Sequence, residues 1–228
     1  MLGGSVASRT AGPGGFRPLR MAVPKGVLFA GSVELLARAG IEIGGLADPG
    51  RLLVVSTAEI EFLIGKPTDI PVYVAYGAAD VGIAGKDVLA EADLGVVEML
   101  DLGFGECRCV VAEPEDASTS IEEHYRHLGV IRVATKYPRL AERHFEGRGV
   151  QIEVVKLNGN IEIAPLIGIA DRIVDITATG TTLRENGLRI VEEVLASTAR
   201  FIANPASLKT DHKRVSNLAE RLSQVSVQ

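Results

Sequence analysis

Tryptophan is absent from this 228-residue chain, and aromatic residues amount to only 4% of it. Positive charge is also short, with 24 Lys and Arg against 29 Asp and Glu, a net charge of −5. That balance argues against a nucleic-acid-binding surface while leaving room for a local basic pocket. No apolar run approaches the ~20 residues of a membrane span. Residues 1–17 are rich in Gly, Ser, Ala and Arg and have no apolar stretch of the kind a secretory signal carries. They read as a disordered tail, or as an extension from an early start codon. Met21 falls inside the first strand pattern and is not the expected start. Cysteine occurs only as Cys107 and Cys109. Two apart on a strand, they share a face, and a metal site would need more ligands nearby. They read as two small buried apolar side chains in a reducing compartment, hence a cytoplasmic protein. No P-loop, G-x-G-x-x-G fingerprint, nucleophile elbow or Cys–His signature is present, so covalent catalysis has no visible candidate.

What is present is a globular composition, 46% hydrophobic and 23% charged. The length suits one large α/β domain or two small ones of ~100 residues each. Strands are expected at 20–23, 52–56, 71–75, 80–83, 108–112, 131–135, 152–157, 172–176 and 201–203. Helices are expected at 28–39, 87–92, 138–145, 161–167, 183–196 and about 211–225. Pro138 suits a first helical turn. Strands alternating with helices predict a mostly parallel sheet with helices on both faces.

The most informative stretch runs from Asp175 through Thr177-Ala178-Thr179-Gly180-Thr181-Thr182 to Leu183. An apolar run ends in an acid, a Thr/Gly-rich turn comes next, and a helical pattern opens. Thr182 and Glu185 have the capping-box spacing. A strand, a small polar loop and a helix N-terminus can bind phosphate, because unpaired N–H groups and the helix dipole face the anion. Thr and Gly are equally ordinary residues of an αβ loop. The acid suits a ribose hydroxyl or a metal-bound water, so the combination points to a sugar phosphate.

Gly77-Ala78-Ala79-Asp80-Val81-Gly82-Ile83 echoes Gly168-Ile169-Ala170-Asp171-Arg172-Ile173-Val174. Two such half-units predict two similar α/β domains facing each other across a cleft, with ligands beyond the carboxyl ends of the strands. The short turn could also recur by chance. Lys25-Gly26 follows the first strand, and Gly85-Lys86-Asp87 follows a second. Each lysine is either an anion contact or a solvated turn residue, and Asp87 is equally a helix N-cap. Glu162, at the start of a short helix, is a second acid for the site or a surface residue. His124 and His127 stand three apart beside Glu122 and Glu123, a spacing that could bind a metal but that reads first as a solvated helix face. His144 and His212 have no evident partners.

Together these segments resemble the short form of the ATP phosphoribosyltransferase family, from histidine biosynthesis. The matching stretches are residues 22–26, 61–63, 76–87, 101–105, 132–138, 156–159 and 162–183, in family order from about residue 18 onward. The resemblance implies two α/β domains of periplasmic-binding-protein-like (type II) architecture with the active site in the interdomain cleft. Mapped onto this chain, these are a tail at 1–17, domain I at 18–104 plus about 204–228, and domain II at 105–203. It implies Mg²⁺, ATP and 5-phosphoribosyl 1-diphosphate, with metal ligands unassigned. Asp175 and Thr177, Ala178, Thr179, Gly180, Thr181 and Thr182 hold the phosphoribosyl donor on this reading, with Glu162 nearby. Lys25, Gly26, Asp80, Gly85, Lys86 and Asp87 line the ATP and diphosphate side, and Asp175, Lys25 and Glu162 do the catalytic work.

Three positions depart from the family pattern. Val27 and Lys66 stand where members often carry Arg, and Ala178 where Glu or Ser is frequent. Val27 and Ala178 leave open a catalytically silent subunit, and the two-domain plan leaves open a small-anion solute-binding protein without catalysis. One helix is expected after Asn204-Pro205, too little for the long form's regulatory domain. The short form therefore implies a regulatory subunit resembling a histidyl-tRNA synthetase, and a homodimer when alone.

Overall fold

A computed structural model describes residues 17–116, 125, 127 and 129–226. The tail expected before Arg17, and His124 with its two neighbouring acids, lie outside the described residues; His127 is exposed. Contacts divide the chain into two compact units. The first holds the chain up to Ala84, Gly95–Leu100 and everything from Phe201; the second holds Gly85–Leu94 and Asp101–Arg200.

The sheet of the first unit is built from β1 (Leu19–Pro24), β2 (Val54–Ser56), β3 (Ile60–Gly65), β4 (Val81–Gly85), β5 (Val97–Asp101) and β11 (Ala199–Ala203), in the order β2-β3-β1-β4-β11-β5. Its helices are α1 (Val27–Arg38), α2 (Ile70–Ala75), α7 (Pro205–Thr210) and α8 (His212–Ser226). β1 runs parallel to both β3 and β4. Its Met21, Ala22 and Val23 are fully buried, as befits a central strand covered on both faces. The sheet of the second unit has the order β10-β6-β9-β7-β8. Its strands are β6 (Cys107–Pro114), β7 (Ile131–Thr135), β8 (Ile152–Lys156), β9 (Arg172–Thr177) and β10 (Leu188–Ser197). Its helices are α3 (Lys86–Ala92), α4 (Pro138–Glu146), α5 (Ile163–Leu166) and α6 (Thr181–Glu185). β7 is parallel to β8 and β9, whereas β6 is antiparallel to β9 and β10, so the sheets are mixed.

The Gly-x-Ala-Asp echo is a structural repeat. Asp80 ends the turn before β4; its N–H donates to the Arg20 carbonyl and its Oδ2 accepts the Arg20 N–H, both at 2.9 Å. Asp171 does the same before β9, with the Arg132 carbonyl at 2.8 Å and the Arg132 N–H at 2.9 Å. Each arginine is the second residue of the central strand. Each stands opposite an acid of the next parallel strand, Arg20 with Glu61 and Arg132 with Glu153. The Asp80 carboxylate also accepts from the Arg17 guanidinium at 2.6 Å and the Ser207 hydroxyl at 2.7 Å. Arg17, read from the sequence as the tail's last residue, is therefore anchored. In the second unit, Glu113 is buried between Arg172 at 2.9 Å and Arg189 at 2.7 Å, joining β6 to β9 and β10.

Several expectations need correction. The helix expected at 183–196 is only α6, and the strand β10 takes up the remaining residues. Gly187, at φ +66, ends the helix, and β10 then pairs with β6 along its length. Two register shifts, at 190/192 and 193/195, break the alternation of apolar residues. A bulged strand of that kind imitates helical spacing. Residues 71–75 form a helix where a strand was expected; Pro71 sits in its first turn, where a missing N–H costs nothing. β3 and β5 were not anticipated. A short α7 precedes α8, so two helices follow Asn204. His144 has partners: Glu192 at 2.9 Å and Arg148 at 3.2 Å. His212 meets the Ser216 hydroxyl at 3.0 Å.

Burial pushes the Asp80 carboxyl upward, but the Arg20 N–H, the Ser207 hydroxyl and Arg17 outweigh it, and its pKa lies below the ordinary 3.8. A carboxylate with a depressed folded pKa stabilises above its unfolded pKa, and that stability is lost as pH falls through the folded value. Asp80→Ala is expected to cost about 2–3 kcal/mol at neutral pH, since it leaves buried donors unpaired. The gap to the wild type in thermal melts is expected to narrow below about pH 4.

Candidate active site

β9 lies between β6 and β7, with Asp175 opposite Val110 of β6. Asp175 is half-buried near the carboxyl end of β9, where ligands of such sheets bind. Its Oδ1 accepts the N–H of Ile176 at 2.8 Å. Burial lifts its pKa above the ordinary 3.8 and the charge of Glu162 lifts it further, while the Ile176 N–H and Lys136 pull the other way. Glu162 is half-buried at the residue preceding α5. An acid thirteen positions earlier in sequence thus acts on Asp175.

The loop after β9 is organised by its own hydroxyls. Thr177 Oγ1 accepts the Gly180 N–H at 2.7 Å. The Thr179 and Thr181 hydroxyls meet at 2.9 Å, and Arg184 donates to Thr181 Oγ1 at 3.3 Å. Gly180 has φ +74 and is the N-cap of α6. The capping box expected from Thr182 and Glu185 is not formed, because the helix starts at Thr181 and its cap makes no side-chain hydrogen bond. The Thr181 N–H reaches the Thr179 hydroxyl at 3.4 Å, and the N-cap Gly180 has no side chain to accept from the first turn of α6. Ala178 adds no side-chain donor, but it borders a cavity of about 430 Å³ that Cys107, Arg108, Ser197 and Arg200 also line.

Gly85, Lys86 and Asp87 lie at the carboxyl end of β4 and the start of α3. Gly85 is the N-cap, and a Cβ there would collide with Asp87 Oδ1. Asp87 is buried and locked to Ser197: its N–H donates to the hydroxyl at 3.1 Å, and its Oδ1 accepts from it at 2.7 Å. Both cysteines are free, and Cys109 is buried. Burial, with Asp175 and Asp87 nearby, pushes the Cys109 thiol up to about 12, so it stays protonated and behaves as an apolar side chain. Among the described residues no cluster of His, Cys, Asp and Glu is arranged to hold a metal.

In the first unit, Lys25 and Gly26 are exposed where the chain leaves β1. Gly26 has φ +80, and Val27, the first residue of α1, is 95% exposed. Asp80 does not belong with them. It stands at the amino end of β4, the opposite edge of the sheet, and its carboxylate is taken by Arg17, Arg20 and Ser207. Two residues not singled out from the sequence do border the loop's surroundings: Arg108, paired in register with Thr177, and Lys136, whose charge reaches Asp175. The signal for Lys136 was available, since it follows a strand as Lys25 does.

The family model described as ATP phosphoribosyltransferase matches residues 66–224. The chain is 48% identical over 202 residues to the ATP phosphoribosyltransferase of Rubrobacter xylanophilus, covering 89% of this chain and 94% of that protein. It is 47% identical over 216 residues to that of Moorella thermoacetica, covering 92% and 94%. Among solved structures it is similar to the ATP phosphoribosyl transferase (HisG:HisZ) complex from Thermotoga maritima, with TM-score 0.79, 32% identity and coverage of 91% and 98%. It is also similar to the periplasmic aliphatic sulphonate binding protein SsuA of Escherichia coli, with TM-score 0.58, 14% identity and coverage of 92% and 72%. The second likeness shows the fold alone, a periplasmic-binding-protein-like α/β plan.

Gly180 is the sharpest local test. A side chain there must adopt a left-handed backbone, and its Cβ would lie 3.2 Å from Ile190 Cδ1. Gly180→Val is expected to cost about 1–2 kcal/mol from backbone strain alone. It is also expected to misplace the Thr177 bond, read as a lowered Tm together with weakened binding of inorganic phosphate.

Proposed function

The chain belongs to the ATP phosphoribosyltransferase family, and we propose that it joins N1 of the ATP adenine to C1 of 5-phosphoribosyl 1-diphosphate, releasing diphosphate, in the first step of histidine biosynthesis. The adenine lone pair forms the new C–N bond, and the C1–O bond breaks with its electron pair leaving on diphosphate. N1 carries no proton, so no general base is required. The transition state has oxocarbenium character opposite a departing polyanion, and the protein's task is alignment and charge stabilisation.

The observation that carries this reading is the half-buried Asp175 beside a hydroxyl-rich loop that leads into the N-terminus of α6. The loop from Thr177 to Thr182 takes the 5-phosphate, and Asp175 accepts from the ribose hydroxyls. Glu162 supports Asp175 from the second acid position. Lys25 and Gly26, with Gly85, Lys86 and Asp87, serve the ATP and diphosphate side; Asp87 does so by holding Ser197 and the start of α3. Asp80 is assigned to the framework instead. The family's likeness to enzymes over nearly the full chain favours this reading over a solute-binding protein, whose similarity is one of fold.

Mg²⁺ suits the residues present. The site offers two carboxylates, Asp175 and Glu162, the second raising the first's cost of charge, and a hard divalent ion there could complete its shell with substrate phosphates. Bound there, the ion would screen the charge of the diphosphate. A biosynthetic reaction of this kind is placed in the cytoplasm; among the described residues no helix is long and apolar enough to cross a membrane.

The decisive assay supplies ATP and the donor together and measures phosphoribosyl-ATP. Asp175→Asn is expected to keep the fold and to weaken donor binding by one to two decades, since a charged acceptor contributes ~1.5–3 kcal/mol. Unchanged donor affinity in calorimetric titration would remove Asp175 and its loop from the site.

The Thermotoga maritima relative was solved as a complex with a second kind of subunit. We read the present chain as the catalytic partner of such an assembly, a homodimer when alone and regulated from outside its own fold. Its rate alone is expected to be low, to rise on adding the regulatory subunit, and to respond to histidine only in the complex. Steady-state rates against histidine, with and without the partner, check this; full activity with histidine inhibition from this chain alone would contradict it.

A further inference from the structure

The repeat that matches Asp80 with Asp171 extends along both central strands. Leu19-Arg20-Met21-Ala22-Val23 corresponds to Ile131-Arg132-Val133-Ala134-Thr135. Beyond them, Lys25 of the first unit corresponds to Lys136 of the second, with Pro24 as a one-residue insertion. The first lysine was singled out from the sequence; the second was not. The register also matches Ala84 with Asp175, since each stands four positions after its latch aspartate. Only the second unit therefore sets an acid beside its strand-end lysine.

Lys136 is exposed and lies one residue past Thr135, which is paired with Val174. The next step of that parallel register puts Lys136 level with Asp175 on the neighbouring strand. Its charge registers at Asp175, yet it makes no ion pair or hydrogen bond among the described residues. The backbone on either side is pinned. Thr135 Oγ1 donates to the Val174 carbonyl at 2.6 Å and accepts the Tyr137 N–H at 2.8 Å, and the Thr135 carbonyl accepts from Leu157 at 3.0 Å. A free cation on a rigid turn beside a half-buried carboxylate forms a ligand contact at little cost in ordering.

The donor has two anionic ends, a phosphate on C5 and a diphosphate on C1, with the ribose between them. The loop after β9 shares a cavity with Arg108 and Cys107 of β6. Lys136 approaches from β7, on the other side of β9. With the 5-phosphate in the loop and the ribose at Asp175, the second anion falls on the Lys136 side. We propose that Lys136 is a further catalytic residue, contacting the 1-diphosphate and stabilising its charge as the C1–O bond breaks. This rests on the functional reading above.

The test compares three ligands by calorimetric titration on the whole chain: the donor, inorganic diphosphate and ribose 5-phosphate. Lys136→Ala is expected to weaken the donor and diphosphate by ~10- to 100-fold and to leave ribose 5-phosphate unchanged, as loss of one charge-assisted contact predicts. Lys136→Arg is expected to restore most of the affinity. Because Lys136 holds no other residue, Tm should stay that of the wild type. Equal losses for all three ligands, a loss confined to ribose 5-phosphate, or no loss would overturn the assignment while leaving the function intact. A wild type that binds none of the three would overturn the functional reading itself.

Discussion

In each unit an aspartate at the start of one parallel strand grips the second residue of its neighbour. It donates its N–H to that residue's carbonyl and accepts the N–H in return, at Asp80 with Arg20 and at Asp171 with Arg132. Parallel strands are joined by long crossovers and have no tight turn to fix their register. A one-residue slip would turn every side chain to the wrong face. A buried carboxylate that accepts from a specific backbone N–H makes such a slip costly, because the slipped state strands both groups without partners. Everything at the carboxyl edge inherits its position from this latch at the amino edge.

The two latches are alike, but their surroundings have diverged. In the first unit the carboxylate takes a guanidinium from Arg17 and a hydroxyl from Ser207, so it gathers the start of β1 and the start of α7. In the second, Arg132 itself supplies the guanidinium at 2.9 Å. At the opposite edge the divergence is chemical. One strand ends in Ala84-Gly85 and runs straight into α3. The other carries Asp175 and a loop of hydroxyls before a helix of barely more than one turn. In the second unit the latch and the candidate site occupy opposite ends of the same strands.

The half-buried state of Asp175 follows from that placement. Near a strand end it is desolvated, which raises the cost of its charge, and Glu162 adds like charge. A ligand that brings hydroxyl donors or a cation relieves this cost on binding, so the cost of charging the carboxyl becomes affinity for the right occupant.

The sequence by itself determined the alternating α/β plan, the repeat, the Thr/Gly loop that follows the strand carrying Asp175, and the buried, apolar character of Cys109; Cys107, expected to be buried with it, is only half-buried. Each is written locally, in strand periodicity, in Gly and Thr at a strand end, or in a short echoed motif. Tertiary structure decided the rest. Residues 188–197 became a strand because β6 offered a partner along their length, and two bulges hid the alternation. Segment Gly85–Leu94 joined the second unit, where Asp87 meets a serine 110 positions away. Asp80 moved from the site to the framework because its partners come from three separate segments. Lys136 gained meaning only when the register set it beside Asp175. Side-chain roles of this kind depend on contacts between distant segments, and a local pattern carries no record of them.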